Sequence, residues 1–255
     1  EMYQKAQEAN NVRGLIGAKQ CLANAYMGTG RWEEGKKALE EAHMLLPKLD
    51  NVIVHNSVLC QLVSLSKAKD DLENLKKYLD EQKSILEDYI RKNPTMEEAF
   101  QDPLIFNELY YAYYYLEMNQ SHPAFEHLQK GAKYLTPHTY FMYRVLYYDA
   151  YALYYRRCKE YDKALSQLDS TIVLLQEAFS SDYVNQLSAK ADILVEAGRS
   201  QEALPIYEKV LQMKDSLVTE LSDKQMKLIQ SNYHINKIAL EEEQLKNKIQ
   251  LIVLI

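Results

Sequence analysis

The chain has 255 residues and a net charge of −6, from 30 Lys+Arg against 36 Asp+Glu. It therefore offers no chain-wide cationic face to displace counterions from a phosphate backbone, which excludes nucleic acid as a first expectation. Its 7 glycines and 6 prolines are 13 of 255 residues, less than half of average usage, which excludes a sandwich or barrel with its regular turns and leaves long helices.

Apolar residues recur at helical spacing almost throughout, and the breaks set the expected elements. Residues 1–13 read as the end of a preceding helix. Antiparallel helices are then predicted at about 14–29, 32–46, 52–68, 70–92, 104–118, 122–135, 139–157, 161–178, 182–197 and 200–214, followed by one continuous helix from 216. Small residues pair across the hairpins at a fixed interval of 12: Ala23 with Gly35, Ala112 with Ala124, Ala152 with Ala164, Ala191 with Ala203. A small side chain on each of two antiparallel helices lets their backbones approach closely. A large residue follows each site, Tyr26, Tyr115, Tyr155 or Leu194 after the first and Leu39, Leu128, Leu168 or Tyr207 after the second.

These residues resemble the tetratricopeptide repeat, a 34-residue helix-turn-helix unit. The stretch from Leu22 to Pro47 carries the likeness, with Leu22, Ala23, Tyr26, Gly30, Trp32, Ala42 and Pro47 in its pattern. The expected fold is all-α, a right-handed α-solenoid over 14–217 with units at 16–49, 105–138, 145–178 and 184–217. A degenerate unit is expected at 53–86, registered on Cys60 and Leu72. Gly35, Leu72, Thr171, Val210 and Pro205 depart from the pattern, so looser or kinked packing is expected there.

Chemistry is scarce. Gly30 to Lys37 reads one residue short of a phosphate-binding loop, but it follows a helix, lacks the Ser/Thr, and carries Glu33 and Glu34 where phosphate would sit. His122 and His127 are five apart and cannot share a zinc as i, i+4 histidines do. Cys21, Cys60 and Cys158 are too far apart for a redox or metal pair and read as buried small apolar groups. No paired acid and base emerges, so the segment is read as non-catalytic, without cofactor or metal.

Tyrosine is the outlier: 13 of the 21 fall between Tyr110 and Tyr155. Spacing puts Tyr111, Tyr115, Tyr148, Tyr151 and Tyr155 at packing sites. The resemblance implies that the first helix of each hairpin lines a concave surface, and the register then points Gln20, Asn24, Phe106, Leu109, Tyr113, Asp149, Leu153, Arg156, Asn185 and Asp192 inward. This mixed polar and aromatic groove suits a protein or peptide partner or a small ligand. The Lys/Asn/Arg set with which some members of the family clamp a C-terminal carboxylate is not reproduced.

Residues 218–255 form a long helix or coiled coil with a heptad seam at Leu221, Leu228, Ile235, Ile238 and Leu245, broken by Lys224, Ser231 and Glu242. The seam reads as parallel homodimerisation, or alternatively as a helix capping the last repeat. A charged stretch then runs into Ile249 to Ile255, the expected onset of a membrane span, against a buried apolar terminus as the alternative. The chain opens at Glu1 with no targeting segment and reads as an excised piece. The order of repeat array, DSLV at Asp215 to Val218, charged helix and apolar onset resembles bacterial membrane-anchored tetratricopeptide sensors. That resemblance implies an extracytoplasmic sensor module with a histidine kinase or DNA-binding output elsewhere. The rival expectation is a cytoplasmic scaffold for protein complexes.

Overall fold

The computed structural model describes residues 2–176 and 181–219, and every described element is helical. Helices α1 (Met2–Glu8), α2 (Val12–Gly28), α3 (Trp32–His43), α4 (Val52–Ala68), α5 (Leu72–Lys92), α6 (Gln101–Glu117), α7 (Ser121–Lys133), α8 (Phe141–Arg157), α9 (Tyr161–Leu175) and α10 (Ser181–Glu196) are followed by α11 over 200–219. The chain divides into two compact units, 1–174 and 175–255. In the first, α2/α3, α4/α5, α6/α7 and α8/α9 are successive antiparallel hairpins; in the second, α10 pairs with α11. This is the expected all-α solenoid of repeat hairpins.

Capping explains where helices start. The side chains of Asn11, Asn51 and Asp71 accept from the backbone N–H three residues on, at 3.0, 3.1 and 3.1 Å, and so satisfy first-turn donors of α2, α4 and α5. Every described hairpin turns through one left-handed residue: Gly30, Asp70, Asn119, Lys159 and Gly198 have φ of 78, 53, 56, 60 and 75°. The next N–H then reaches back to a carbonyl of the closing helix, as from Arg31 to Tyr26 at 2.8 Å and from Glu160 to Tyr155 at 2.8 Å. This is the Schellman arrangement, which occupies carbonyls that the helix itself leaves free.

The small-residue pairs do what their spacing requires. Ala23, Ala112, Ala124, Ala152, Ala164, Ala191 and Ala203 are all buried, and so is Gly35. A Cβ on Gly35 would sit 2.7 Å from Met27 Cγ and 3.3 Å from the Ala23 carbonyl oxygen, so the two helices meet backbone to backbone. Around these contacts Leu39 and Leu128 are fully buried, as are Leu59 and Leu79 in the second hairpin.

Three expectations are corrected. In four hairpins the left-handed residue lies 7 after the first small site and 5 before the second (23, 30, 35; 112, 119, 124). Applied to Asp70, this places the second hairpin's pair at Val63 and Leu75, both fully buried. Cys60 and Leu72 are only half-buried, so the unit expected at 53–86 lies three residues later. The misreading arose because the contact there is made by Val63 and Leu75, neither of which is the small residue that marks the other hairpins. Second, α11 runs unbroken from 200 through 219, where a break was expected near 215; no turn residue interrupts it. Third, Cys21 is exposed rather than buried, while Cys60 and Cys158 are half-buried.

The coiled-coil seam at Leu221, Leu228, Ile235, Ile238 and Leu245, and the apolar run 249–255, lie outside the described residues. Among the described residues no helix is long and apolar enough to cross a membrane.

Candidate functional site

The first helices of the first unit, α2, α4, α6 and α8, are cross-linked along one face by polar side chains. Gln20 donates to Ser57 Oγ at 3.0 Å and to Gln61 Oε1 at 2.8 Å, and Gln61 donates to Asn24 Oδ1 at 3.0 Å. Two predicted groove residues of α2 are thus joined to α4 by an amide ladder. Beside it a cleft of about 300 Å³ is lined by Met27, Trp32, Leu65, Asn24, Gln61 and Ser64. Trp32 is exposed there, with the Lys69 ammonium 5.2 Å from its ring centroid.

The ladder continues from α4 to α6. Ser64 and the Tyr110 hydroxyl lie 3.2 Å apart, and the Tyr113 hydroxyl lies 3.5 Å from Asp70 Oδ1. Lys67 projects between them, its ammonium 4.8 Å from the Tyr113 ring centroid and 5.3 Å from that of Tyr110. Such a placement is the attractive geometry for a cation over an aromatic face. Burial nevertheless pushes the Lys67 amine below its ordinary range, and the carboxylates of Asp149 and Glu117 only partly oppose this. The Tyr113 phenol is pushed up to about 12, by burial first and by Glu117 and Asp70 next. Arg157 of α8 donates to both oxygens of Glu117, at 3.0 and 3.1 Å, and closes the face at its turn end.

Of the predicted groove residues, Gln20, Asn24 and Tyr113 lie on this face, and Arg156 lies half-buried on α8. The others do different work. Phe106 and Leu109 are buried core residues: Phe106 stacks on Tyr110 with centroids 4.3 Å apart, and Leu109 packs against Gly131, where an added Cβ would meet its Cδ2 at 3.1 Å. Both stand on the side of α6 that its neighbours cover, so burial of their apolar area wins over exposure. Asp149 accepts from the buried Thr171 hydroxyl at 3.0 Å, and Asp192 from the Tyr207 hydroxyl at 2.6 Å. Each of these carboxylates binds the second helix of its own hairpin, and the charge of Asp149 also reaches Lys67 on this face. Asn185 is exposed on α10 in the second unit, and Leu153 is half-buried.

Ser57, Gln61, Ser64 and Lys67 are absent from the predicted set because no groove residue was drawn from the degenerate second hairpin. Their signal was present: steps of 4, 3 and 3 place these four polar residues on one stripe of the helix VIVHNSVLCQLVSLSKA.

The tyrosine cluster is mostly packing. Tyr111 and Tyr151 are buried, while Tyr115, Tyr148 and Tyr155 are half-buried. The His127 ring stacks between Tyr111 and Tyr115, with centroids 4.9 and 5.3 Å away, and its Nδ1 lies 2.6 Å from Glu108 Oε2. His122 is exposed on the same helix beside Glu126, so the two histidines do not converge. Among the described residues no group of His, Cys, Asp or Glu is arranged to hold a metal ion. The Cys60 thiol is pushed up to about 12 by burial, which keeps it a thiol and not a nucleophile.

No family model matches the chain, and no curated protein matches it. Solved structures do. BtubC (BKLC) from P. vanneervenii superposes with a TM-score of 0.58 at 12% identity, covering 85% of this chain and 86% of that one. The apo form of RapI gives 0.57 at 12% identity over 80% of this chain and 72% of that one. A thermophilic TPR protein of Thermus thermophilus gives 0.53 at 17% identity over 82% of this chain and 97% of that one. At these identities the likeness is one of fold, and the chain has the α-solenoid fold of TPR-like repeat proteins.

Proposed function

We propose that this chain is a non-catalytic binding module that takes a protein or peptide partner on the face of α2, α4, α6 and α8. One observation carries the reading. On that face polar and aromatic side chains from the first helices of four successive hairpins are held by one another, so it is ordered before any partner arrives. Pre-ordered amide, hydroxyl and aromatic groups lower the entropy cost of association. Trp32 and Tyr113 are of the type that anchors protein recognition. TPR-like solenoids generally bind protein or peptide partners, which supports the same reading.

The test is affinity capture on the immobilised chain, comparing the wild type with Tyr113→Ala and Gln61→Ala. A protein retained by the wild type and lost by both variants, with their helicity and melting temperatures unchanged, supports the face. Equal retention on all three rejects it.

The finer reading is a sensor module of a membrane-anchored signalling protein of two-component type, placed on the extracytoplasmic side of a bacterial membrane and dimerising through the seam at 221–245. It is supported by the order of repeat array, charged helix and apolar end in the sequence. Reading the gene past the codon for Ile255 tests it. An apolar run completing about 20 residues and followed by Lys/Arg supports the anchored receptor. A stop codon or a polar continuation moves the reading to a soluble scaffold.

A further inference from the structure

No residue lining the cleft beside the amide ladder carries a charge. Its apolar surface comes from Met27, Trp32, Leu65 and Ala68, while Asn24, Gln61 and Ser64 add amide and hydroxyl groups. Trp32 is 39% exposed in the free chain. At about 300 Å³ the cleft stands at the lower end of ligand-binding cavities. That volume suits one large side chain of a longer partner better than a whole drug-sized molecule.

The charge next to the cleft is positive and unanswered. Lys69 is exposed, its ammonium lies 5.2 Å from the Trp32 ring centroid, and among the described residues it forms no ion pair. An aromatic ring attracts an ammonium without neutralising it, so the charge stays open to an anion. The nearby carboxylates are engaged elsewhere. Asp70 lies 3.5 Å from the Tyr113 hydroxyl on the α6 side. Asp71 caps α5 and pairs with Lys36 at 3.6 Å, and Glu34 pairs with Arg31 at 2.9 Å.

We infer that the cleft takes one large apolar side chain of an extended peptide segment, and that an acidic residue beside that side chain pairs with Lys69. This rests on the reading of the α2, α4, α6 and α8 face as the partner surface, and it names the class of peptide. An extended segment carries main-chain N–H and C=O groups without partners of their own, and Asn24, Gln61 and Ser64 supply hydrogen-bonding groups for them. The buried apolar anchor supplies most of the affinity, and the ion pair selects the acidic neighbour.

The experiment is selection of a displayed library of random peptides on the immobilised full chain at low salt, followed by titration of the enriched peptides. These are expected to share a large apolar residue with Asp or Glu beside it, and to bind more weakly as salt is added. Ala68 is exposed on α4 and lines the cleft, so Ala68→Phe is expected to fill it and weaken these peptides about tenfold or more, with helicity unchanged. Lys69→Glu is expected to weaken them about fivefold, the scale of an exposed ion pair. A peptide with Lys in place of its acidic residue is expected to bind the Lys69→Glu chain better than the wild type, which distinguishes pairing from a general loss of structure. The inference is overturned by no enrichment, by apolar residues flanked only by neutral or basic ones, or by peptides indifferent to Ala68→Phe and Lys69→Glu. Where such indifferent peptides are lost by Tyr113→Ala, the partner face stands and only the assignment of the cleft falls. Where they are indifferent to Tyr113→Ala and Gln61→Ala as well, the face falls with it.

Discussion

The ammonium of Lys67 on α4 stands 4.8 Å from the ring centroid of Tyr113 on α6, and burial there lowers its affinity for a proton. One side chain thus links two first helices, faces the proposed partner surface and carries a charge that its surroundings under-compensate.

Lys67→Met keeps the aliphatic stem and removes the charge, so it is expected to raise stability by about 1 kcal/mol at neutral pH. The sign follows from linkage. The folded-state pKa lies below that of the unfolded chain, so the unfolded state binds more protons between the two, and wild-type stability rises with pH through that window. The advantage of the Met variant is therefore full at pH 7 and fades as pH approaches about 10.4, where the unfolded lysine also loses its proton. Thermal melts of both proteins from about pH 7 to about pH 10.5 check this. A variant less stable at pH 7 would contradict it.

Gly35→Ala and Gly28→Ala should move stability in opposite directions. The first drives a Cβ into Met27 Cγ and toward the Ala23 carbonyl, and a loss of about 1 kcal/mol is expected after the helix-propensity gain is subtracted. The second meets nothing within 4 Å near the end of α2 and should gain a few tenths to about 1 kcal/mol. Urea titration of the two variants reads the difference, and equal effects would argue against close contact of α2 with α3.

Lys159 holds φ at 60°, a conformation that costs an L-residue about 1 kcal/mol and glycine little. Lys159→Gly is expected to stabilise the α8/α9 turn by about 0.5–1 kcal/mol, visible as a melting temperature higher by a few degrees. Gly198→Ala, at φ 75°, is expected to do the reverse in the α10/α11 turn.

Gln82 is fully buried and donates to Asn56 Oδ1 at 2.9 Å while accepting from Asn107 Nδ2 at 2.9 Å. Replacing it with Ala leaves one N–H of the buried Asn107 amide without its acceptor, the Leu79 carbonyl holding the other at 3.0 Å, and takes a donor from the half-buried Asn56; a destabilisation of about 2 kcal/mol is expected. Gln82→Ala with Asn107→Leu should recover part of that loss, because the stranded donor is removed together with its partner. A double-mutant cycle by chemical denaturation measures the coupling.

The legible and illegible parts of this protein divide along a physical line. The hairpins at Ala23/Gly35, Ala112/Ala124, Ala152/Ala164 and Ala191/Ala203 could be read because close helix approach tolerates few side chains. The α4/α5 hairpin could not, because Val63 and Leu75, neither of them small, supply the contact. Two buried large residues have no composition that marks them as a pair. The hairpin therefore read as degenerate and no groove residue was drawn from it, which left out Gln61, Ser64 and Lys67, the α4 side of the candidate face.

By itself the sequence determined the helices and the packing pair of four of the five hairpins, because local spacing and steric limits act within a few turns of chain. Only the tertiary structure decided which polar residues point outward. Asp192 stands on a helix face that the register assigns to the groove, yet the Tyr207 hydroxyl draws it into its own hairpin, whereas Asp149 accepts from Thr171 and still acts on Lys67 of the face. A carboxylate takes the nearest good donor, and which donor is nearest depends on how two helices pack rather than on the period of either one.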